Sequence, residues 1–276
     1  MRTLIKPRNS LSWVDWNLLY QYRDLLELWV KRDLASKYRQ TFLGPLWFLL
    51  QPLVTASIFV IIFSKGLKVS TEGVPAALFY LTGLIVWNYV SQCLNSTSMT
   101  LVAHSGLFKK VFFPRLILPF SYCISSLVSL GIQSGVLALF YVFFVFRGAD
   151  TRPDQFIFFL PFLVIHLVLL SFGLGLWISA LTVRYRDFHH LWGLISPLWL
   201  YATPISYPLS AIPSHLQWII QLNPLTVIVE GFRFCILGSG TFSLGEWVPS
   251  LLMSLIIAIT GVIVFQTVER NCVDSI

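Results

Sequence analysis

Residues Leu116–Phe146 read LILPFSYCISSLVSLGIQSGVLALFYVFFVF, 31 residues without an Asp, Glu, Lys or Arg. At about 1.5 Å of rise per residue, a helix of this length exceeds the ~30 Å hydrocarbon core of a bilayer and has room to tilt. Working outward, five further charge-free runs follow the same rule: Leu46–Phe63, about Ala77–Val102, Phe156–Val183, Leu191–Leu209 and Trp247–Val268. Leu191–Leu209 is short and holds Pro197, Pro204 and Pro208. The expected fold is an all-α integral membrane protein with six transmembrane helices.

Composition agrees. Of 276 residues, 56% are apolar and only 11% charged, with a mean hydropathy of +0.76. Soluble domains carry about 25% charged residues. An ordinary soluble enzyme, a disordered protein and a nucleic-acid-binding module are thereby excluded, despite a net charge of +7. Cys93, Cys123, Cys235 and Cys272 are widely separated and form no C-x-x-C, so the expectation is lone buried thiols.

The first forty residues differ in kind. They hold eight basic residues, Lys31, Arg32, Lys37 and Arg39 among them, and an apolar stripe at Leu18, Tyr22, Leu25 and Trp29. That spacing predicts an amphipathic helix lying in the membrane interface with its apolar face in lipid. Ser12 with Asp15 three residues on is a candidate cap, and Glu27–Lys31 an i,i+4 pair. Gly44-Pro45 ends this segment, dividing the chain into 1–45, a cytoplasmic interface segment, and 46–276, a transmembrane domain. The stretch Ser210–Glu246 is apolar but broken by Pro213 and Asn223-Pro224. Neither half is long enough to cross, so a re-entrant helix pair before the last span is expected, a candidate gate.

Charge sets the orientation. With both termini cytoplasmic, the inner segments hold 14 of the 19 Lys and Arg and net +7, and the outer ones net zero. Inside the spans only His166 is titratable, and a hydrogen-bonded packing role is its expected one. Ion-coupled carriers need intramembrane carboxylates or cations. None of the sixteen glycines precedes lysine, so no P-loop exists, and G-x-S-x-G and H-E-x-x-H are absent. The adjacent His189-His190 is a poor metal pair, and no metal site is expected. Active transport by this chain would need a separate ATPase.

Two packing motifs stand out: Gly131-x-x-x-Gly135, and Ser171, Gly175 and Ser179 at four-residue spacing. Trp13, Trp16, Trp47, Trp87, Trp192, Trp218 and Trp247 lie near span ends, as interface anchors do. Rings within spans, Phe59, Tyr80, Tyr89, Phe140, Trp199 and Tyr201 among them, are candidates to line a channel on which sugar faces slide.

Three stretches carry a resemblance. The first is Arg32-Asp33-Leu34-Ala35-Ser36-Lys37-Tyr38-Arg39-Gln40-Thr41-Phe42-Leu43-Gly44-Pro45-Leu46-Trp47, continuing to Leu50-Gln51-Pro52. The second is Phe113-Pro114-Arg115-Leu116-Ile117-Leu118-Pro119. The third is Val183-Arg184-Tyr185-Arg186-Asp187-Phe188, followed by Pro204-Ile205-Ser206-Tyr207-Pro208, Leu222-Asn223-Pro224 and Glu230-Gly231-Phe232-Arg233. With these the chain resembles the membrane subunits of ABC-2 type polysaccharide exporters, O-antigen export permeases in particular. The resemblance implies a non-enzymatic homodimer in the bacterial inner membrane with two copies of a nucleotide-binding subunit. That partner would bind ATP and Mg, leaving no cofactor in this chain. The cargo implied is a polysaccharide on polyprenyl diphosphate, moved from cytoplasm to periplasm; teichoic acid and capsule are alternative cargoes. Lys31, Arg32, Lys37, Arg39 and Arg115 would receive the lipid diphosphate. Ser105, Lys109, Lys110 and Phe113 would meet the ATPase. Pro213, Asn223, Pro224, Glu230 and Arg233 would form the periplasmic gate.

Overall fold

The computed structural model describes residues 16–39, 42, 44–108, 110–111, 113–149, 151, 153, 155–185 and 187–274, and these form helices and connecting turns. Two interface helices come first, α1 (Trp16–Gln21) and α2 (Arg23–Tyr38). The candidate cap Ser12/Asp15, and Trp13, lie outside the described residues. Next come α3 (Trp47–Phe59), which widens into a π-helical stretch over Val60–Gly66, and α4 (Ala76–Ser98). Two single-turn helices, α5 (Thr100–Ala103) and α6 (Ser105–Phe108), lead to α7 (Ile117–Phe146). Then follow α8 (Leu160–Arg184), α9 (Asp187–Ala202), α10 (Ser214–Gln221), α11 (Pro224–Leu237) and α12 (Leu244–Asp274).

Among the described residues, five stretches are long and apolar enough to cross a membrane: Leu49–Gly66, Ala76–Ser98, Ile117–Phe146, Phe156–Arg184 and Leu244–Glu269. The expected span at 191–209 is a 16-residue helix, α9, about 24 Å long. A non-helical strip continues it. Trp192 Nε1 donates to Asn95 Oδ1 (2.9 Å) near one end of α4, and Ser210 Oγ donates to Glu72 Oε1 (2.5 Å) just before the other. The segment 192–210 therefore runs the length of α4 and makes the sixth crossing.

The center of the bundle is α4, whose Leu78, Phe79, Tyr80, Val90, Cys93 and Leu94 are fully buried. Small residues let its neighbours approach. A Cβ on Gly175 of α8 would overlap the Thr97 hydroxyl, and one on Gly173 would lie 2.6 Å from the Ala258 backbone of α12. Ser171 and Ser179 are buried with them. Gly131 and Gly135 behave otherwise, since nothing lies within 4 Å of a Cβ at either. Among the described residues, neither glycine makes a close contact. Outward-facing Val54, Ile58, Leu194, Leu198, Leu252 and Ile256 form the lipid-facing coat.

α10 and α11 meet at a 105° bend. Asn223 caps α11 by accepting from Leu225 N (3.1 Å), Pro224 takes the first helical position, and Gly238 at φ 67° closes the helix. α11 runs from Pro224, whose carbonyl accepts from Ser250 Oγ within α12, back to Phe234 beside Phe156 at the start of the fourth span. The pair enters and leaves on one side, as expected.

The interface helices hold a correction. The apolar face of α2 lies against protein rather than lipid. Trp29 is buried with Phe113, Ile117 and Leu118, and Tyr22 and Leu25 pack on the same cluster. The connector before α7 supplies the partner that a reading of soluble chain length alone does not provide. The tryptophan belt is corrected in part. Trp47 and Trp218 are exposed, but Trp87 and Trp192 are buried, each edge-on to Trp199 (5.9 and 6.0 Å).

Candidate functional site

On α4, Asn88, Ser91, Gln92 and Asn95 recur at the i, i+3, i+4, i+7 spacing of one helical face. That face lines a groove of about 400 Å³ with Gln51 and Trp47 of α3, Gln133 of α7 and Lys37 of α2. Asn88 Nδ2 donates to Gln133 Oε1 (3.2 Å), bridging α4 to α7, and Asn95 Nδ2 donates to Ser91 Oγ (3.3 Å). Gln92 Oε1 is buried without a partner. Amides in an apolar span are costly unless paired or facing a wet cavity. Each amide offers both donors and an acceptor, which is the chemistry that hydroxyl-rich ligands need. Trp47 adds a half-exposed ring at the rim.

The groove opens beside the basic segment. Of the five basic residues expected to receive a diphosphate, Lys37 lines it. Lys31 pairs with Glu27 on the exposed face of α2 (2.6 Å), and that pair holds the Glu27 carboxyl below its usual range. Arg32 lies over the Trp29 ring (4.5 Å), and Arg39 is an exposed helix cap. Arg115 stacks on Phe108 (4.9 Å), donates to the Glu269 carbonyl (3.1 Å) and is 3.6 Å from its carboxylate. Arg32 and Arg115 thus sit on rings of one aromatic cluster, and Lys37 lines the groove.

Among the coupling residues, Ser105 and Lys110 are exposed, and Lys109 lies outside the described residues. Phe113 is a correction. It is buried beneath α2 and 5.6 Å from the Phe108 ring, so it supports the connector rather than presenting a surface. His104 sits at the joint, edge-on to Trp29 (5.2 Å) with Nδ1 3.2 Å from the Thr100 carbonyl. Burial holds its pKa below the ordinary histidine value, with Arg32 adding to the shift and the Thr100 contact opposing it.

The channel rings are not brought together. Phe59, Tyr80 and Tyr89 are buried between helices, Phe140 and Trp199 are half-buried, and Tyr201 is exposed. Phe59 packs on Tyr80 (5.9 Å), and Tyr89 donates to the Cys123 carbonyl (3.4 Å). Large apolar rings fill the interhelical space here, and the groove is lined by amides instead. Cys93 and Cys123 are buried thiols, as expected, and their sulfurs lie 3.0 Å apart. His166 is a buried packing residue, with Nε2 2.8 Å from Ser254 Oγ.

At the opposite end, Pro213 is exposed, Asn223 half-buried and Pro224 buried. Glu230 and Arg233 are not the loop charges that the orientation count takes them to be. Both side chains are buried, 3.0 Å apart. Arg233 donates to the carbonyls of Pro204 (2.6 Å) and Ile205 (2.8 Å), lies 3.6 Å over the Phe79 ring, and fills the space left by Gly83. The other Glu230 oxygen accepts from Thr241 N (3.1 Å). The irregular strip after α9 thus has its carbonyls satisfied at membrane depth by α11.

A family model for ABC-2 type transporters matches residues 25–237. The chain belongs to the ABC-2 type transporter family. The matched residues run from α2 through α11 and include the groove. An O-antigen export system permease protein RfbA of Klebsiella pneumoniae is 28% identical over 255 residues, covering 92% of this chain and 95% of its own. One from Myxococcus xanthus is 30% identical over 219 residues, covering 78% and 81%. The polysialic acid transport protein KpsM of Escherichia coli is 25% identical over 250 residues, covering 88% and 93%. This ABC-2 chain is a multi-pass membrane transport permease.

The groove amides are absent from the sequence-based site. Their signal was present, because four polar residues share one face of a span otherwise rich in apolar ones.

Proposed function

We propose that this chain is the membrane permease subunit of an ATP-driven exporter that moves an O-antigen-type polysaccharide, linked to polyprenyl diphosphate, from cytoplasm to periplasm. The observation that carries the reading is the amide-lined groove, a hydrogen-bonding surface set among apolar spans beside a basic end. Such a surface suits a neutral, hydroxyl-rich polymer and offers nothing to a coupled ion. The O-antigen export relatives, at 28–30% identity, supply the cargo class.

In this reading the α2 end is cytoplasmic, consistent with its excess of Lys and Arg. Two copies of the chain face each other with two copies of an ATPase that binds ATP and Mg. The ATPase meets the connector at the exposed Ser105 and Lys110. Its motion reaches α2 through His104 and Trp29, and reaches α7 through Phe113. The lipid diphosphate meets the basic residues of α2 and Arg115. The bent pair α10–α11 closes the periplasmic side, with Asn223-Pro224 at the bend.

Co-purification tests this reading. The tagged chain, extracted in mild detergent, should bring down a P-loop ATPase whose turnover rises in the complex. A monodisperse chain with no ATPase partner would contradict it.

A further inference from the structure

One carboxylate oxygen joins the interface helix to a span and to the groove at once. Asp33 Oδ2 accepts from Ser125 Oγ on α7 (2.5 Å) and lies 2.7 Å from Lys37 Nζ. The Asp33 side chain is 11% exposed, and Ser125 is fully buried. Lys37 Nζ pairs with this one oxygen, and an ammonium carries three N–H donors, so the others remain available to a stronger acceptor.

We propose that Asp33 is a positioning residue that parks Lys37 at the groove mouth and ties α2 to α7, and that an anionic phosphate group taken up by Lys37 releases the tie. This rests on the reading of the cargo as a lipid diphosphate. A diphosphate carries more negative charge than one carboxylate and more acceptor oxygens, so it competes for Lys37. Once Lys37 turns to the phosphate, Asp33 is a poorly hydrated carboxylate without its cation and beside a second anion. Both conditions disfavour it where it sits. The relief is to leave Ser125 and reach water, which moves α2 away from α7. Lys37 differs from Lys31, Arg32 and Arg115 in lining the groove, and its carboxylate partner is tied to α7.

The test is a distance. Spin labels at Ser36→Cys on α2 and Val128→Cys on α7, with native cysteines changed to serine, report the separation in phosphatidylcholine nanodiscs. Three probes are added in turn: undecaprenyl diphosphate, phosphatidylglycerol and inorganic diphosphate. Undecaprenyl diphosphate should shift the distance to longer values, and Lys37→Gln should abolish the shift. Asp33→Ala, or Ser125→Ala should the first fail to fold, should show the longer distance without any probe. The same shift with phosphatidylglycerol or inorganic diphosphate supports the latch but assigns it to a bulk headgroup or a free phosphate. Undecaprenyl diphosphate retained in native mass spectra with no shift would overturn the latch and leave the cargo reading standing. No retention and no shift with any probe would overturn both.

Discussion

Arg233 Nη1 lies 3.0 Å from Glu230 Oε1 one turn earlier on α11, and neither side chain reaches solvent or lipid. The pair secures the re-entrant helix to the non-helical strip that completes the sixth crossing, through the carbonyls of Pro204 and Ile205. Arg233→Ala would strand a buried carboxylate and two carbonyls. A loss of about 3–5 kcal/mol is expected, read as a lower unfolding temperature in detergent. Glu230→Gln should cost less, because Arg233 keeps the Pro204 and Ile205 carbonyls and the Phe79 ring. Equal losses in the two variants would mean that the carboxylate charge, not the tether, holds the helix.

The groove predicts a different pattern. Asn88→Leu and Gln133→Leu together replace an amide pair by apolar groups of similar shape, which is near neutral for stability. Export should nevertheless fall, by about fivefold for each ~1 kcal/mol hydrogen bond to the polymer that is lost. Surface polysaccharide, measured against the amount of folded permease, checks this. Undiminished export would remove the groove from the polymer's path.

The two glycine motifs separate by what surrounds them. Gly173→Val would drive a branched side chain into the Ala258 backbone and should destabilise the chain by at least about 1–3 kcal/mol. Gly131→Ala meets nothing within 4 Å and, in mid-helix, should not lower the unfolding temperature. Thermal unfolding of the purified variants decides it.

His104 gives a pH dependence. Its pKa in the folded chain is depressed, mainly by burial. The neutral ring therefore favours docking of α2. The stabilisation is present above about pH 6.5, the unfolded value, and is lost as pH falls through the folded one. A spin label at Leu28→Cys should become more mobile on acidification, and His104→Phe should flatten the response. A label equally immobile at pH 5 and pH 7 in the wild-type chain would rule out this dependence.

Most of the fold was legible because charge-free length is a strong constraint in a membrane. The spans at 116–146 and 156–183, the Asn223-Pro224 bend and the Glu27–Lys31 pair all follow from local rules. Long-range pairing was not legible. Nothing local tells that Cys93 meets Cys123, that Asp33 meets Ser125, or that Trp29 buries against Phe113. Glu230 and Arg233 were read as loop charges because a count of charge cannot see that the two neutralise each other inside the bundle. Phe59, Tyr80 and Tyr89, expected to line a channel, lie buried between helices, because rings at membrane depth fill cores as readily as they line pores. The amide face of α4 was legible by spacing alone, since Asn88, Ser91, Gln92 and Asn95 repeat with the helical period.

The central claim is that this permease carries a lipid-linked polysaccharide out of the cytoplasm. Its most direct test is to delete the gene in the native cell, then compare polymer at the surface with polymer inside. The account predicts loss of the surface polysaccharide with lipid-linked polymer accumulating in the cytoplasm, both reversed by the wild-type chain and not by Lys37→Gln with Asn88→Leu. Normal surface polysaccharide in the deletion strain would contradict it.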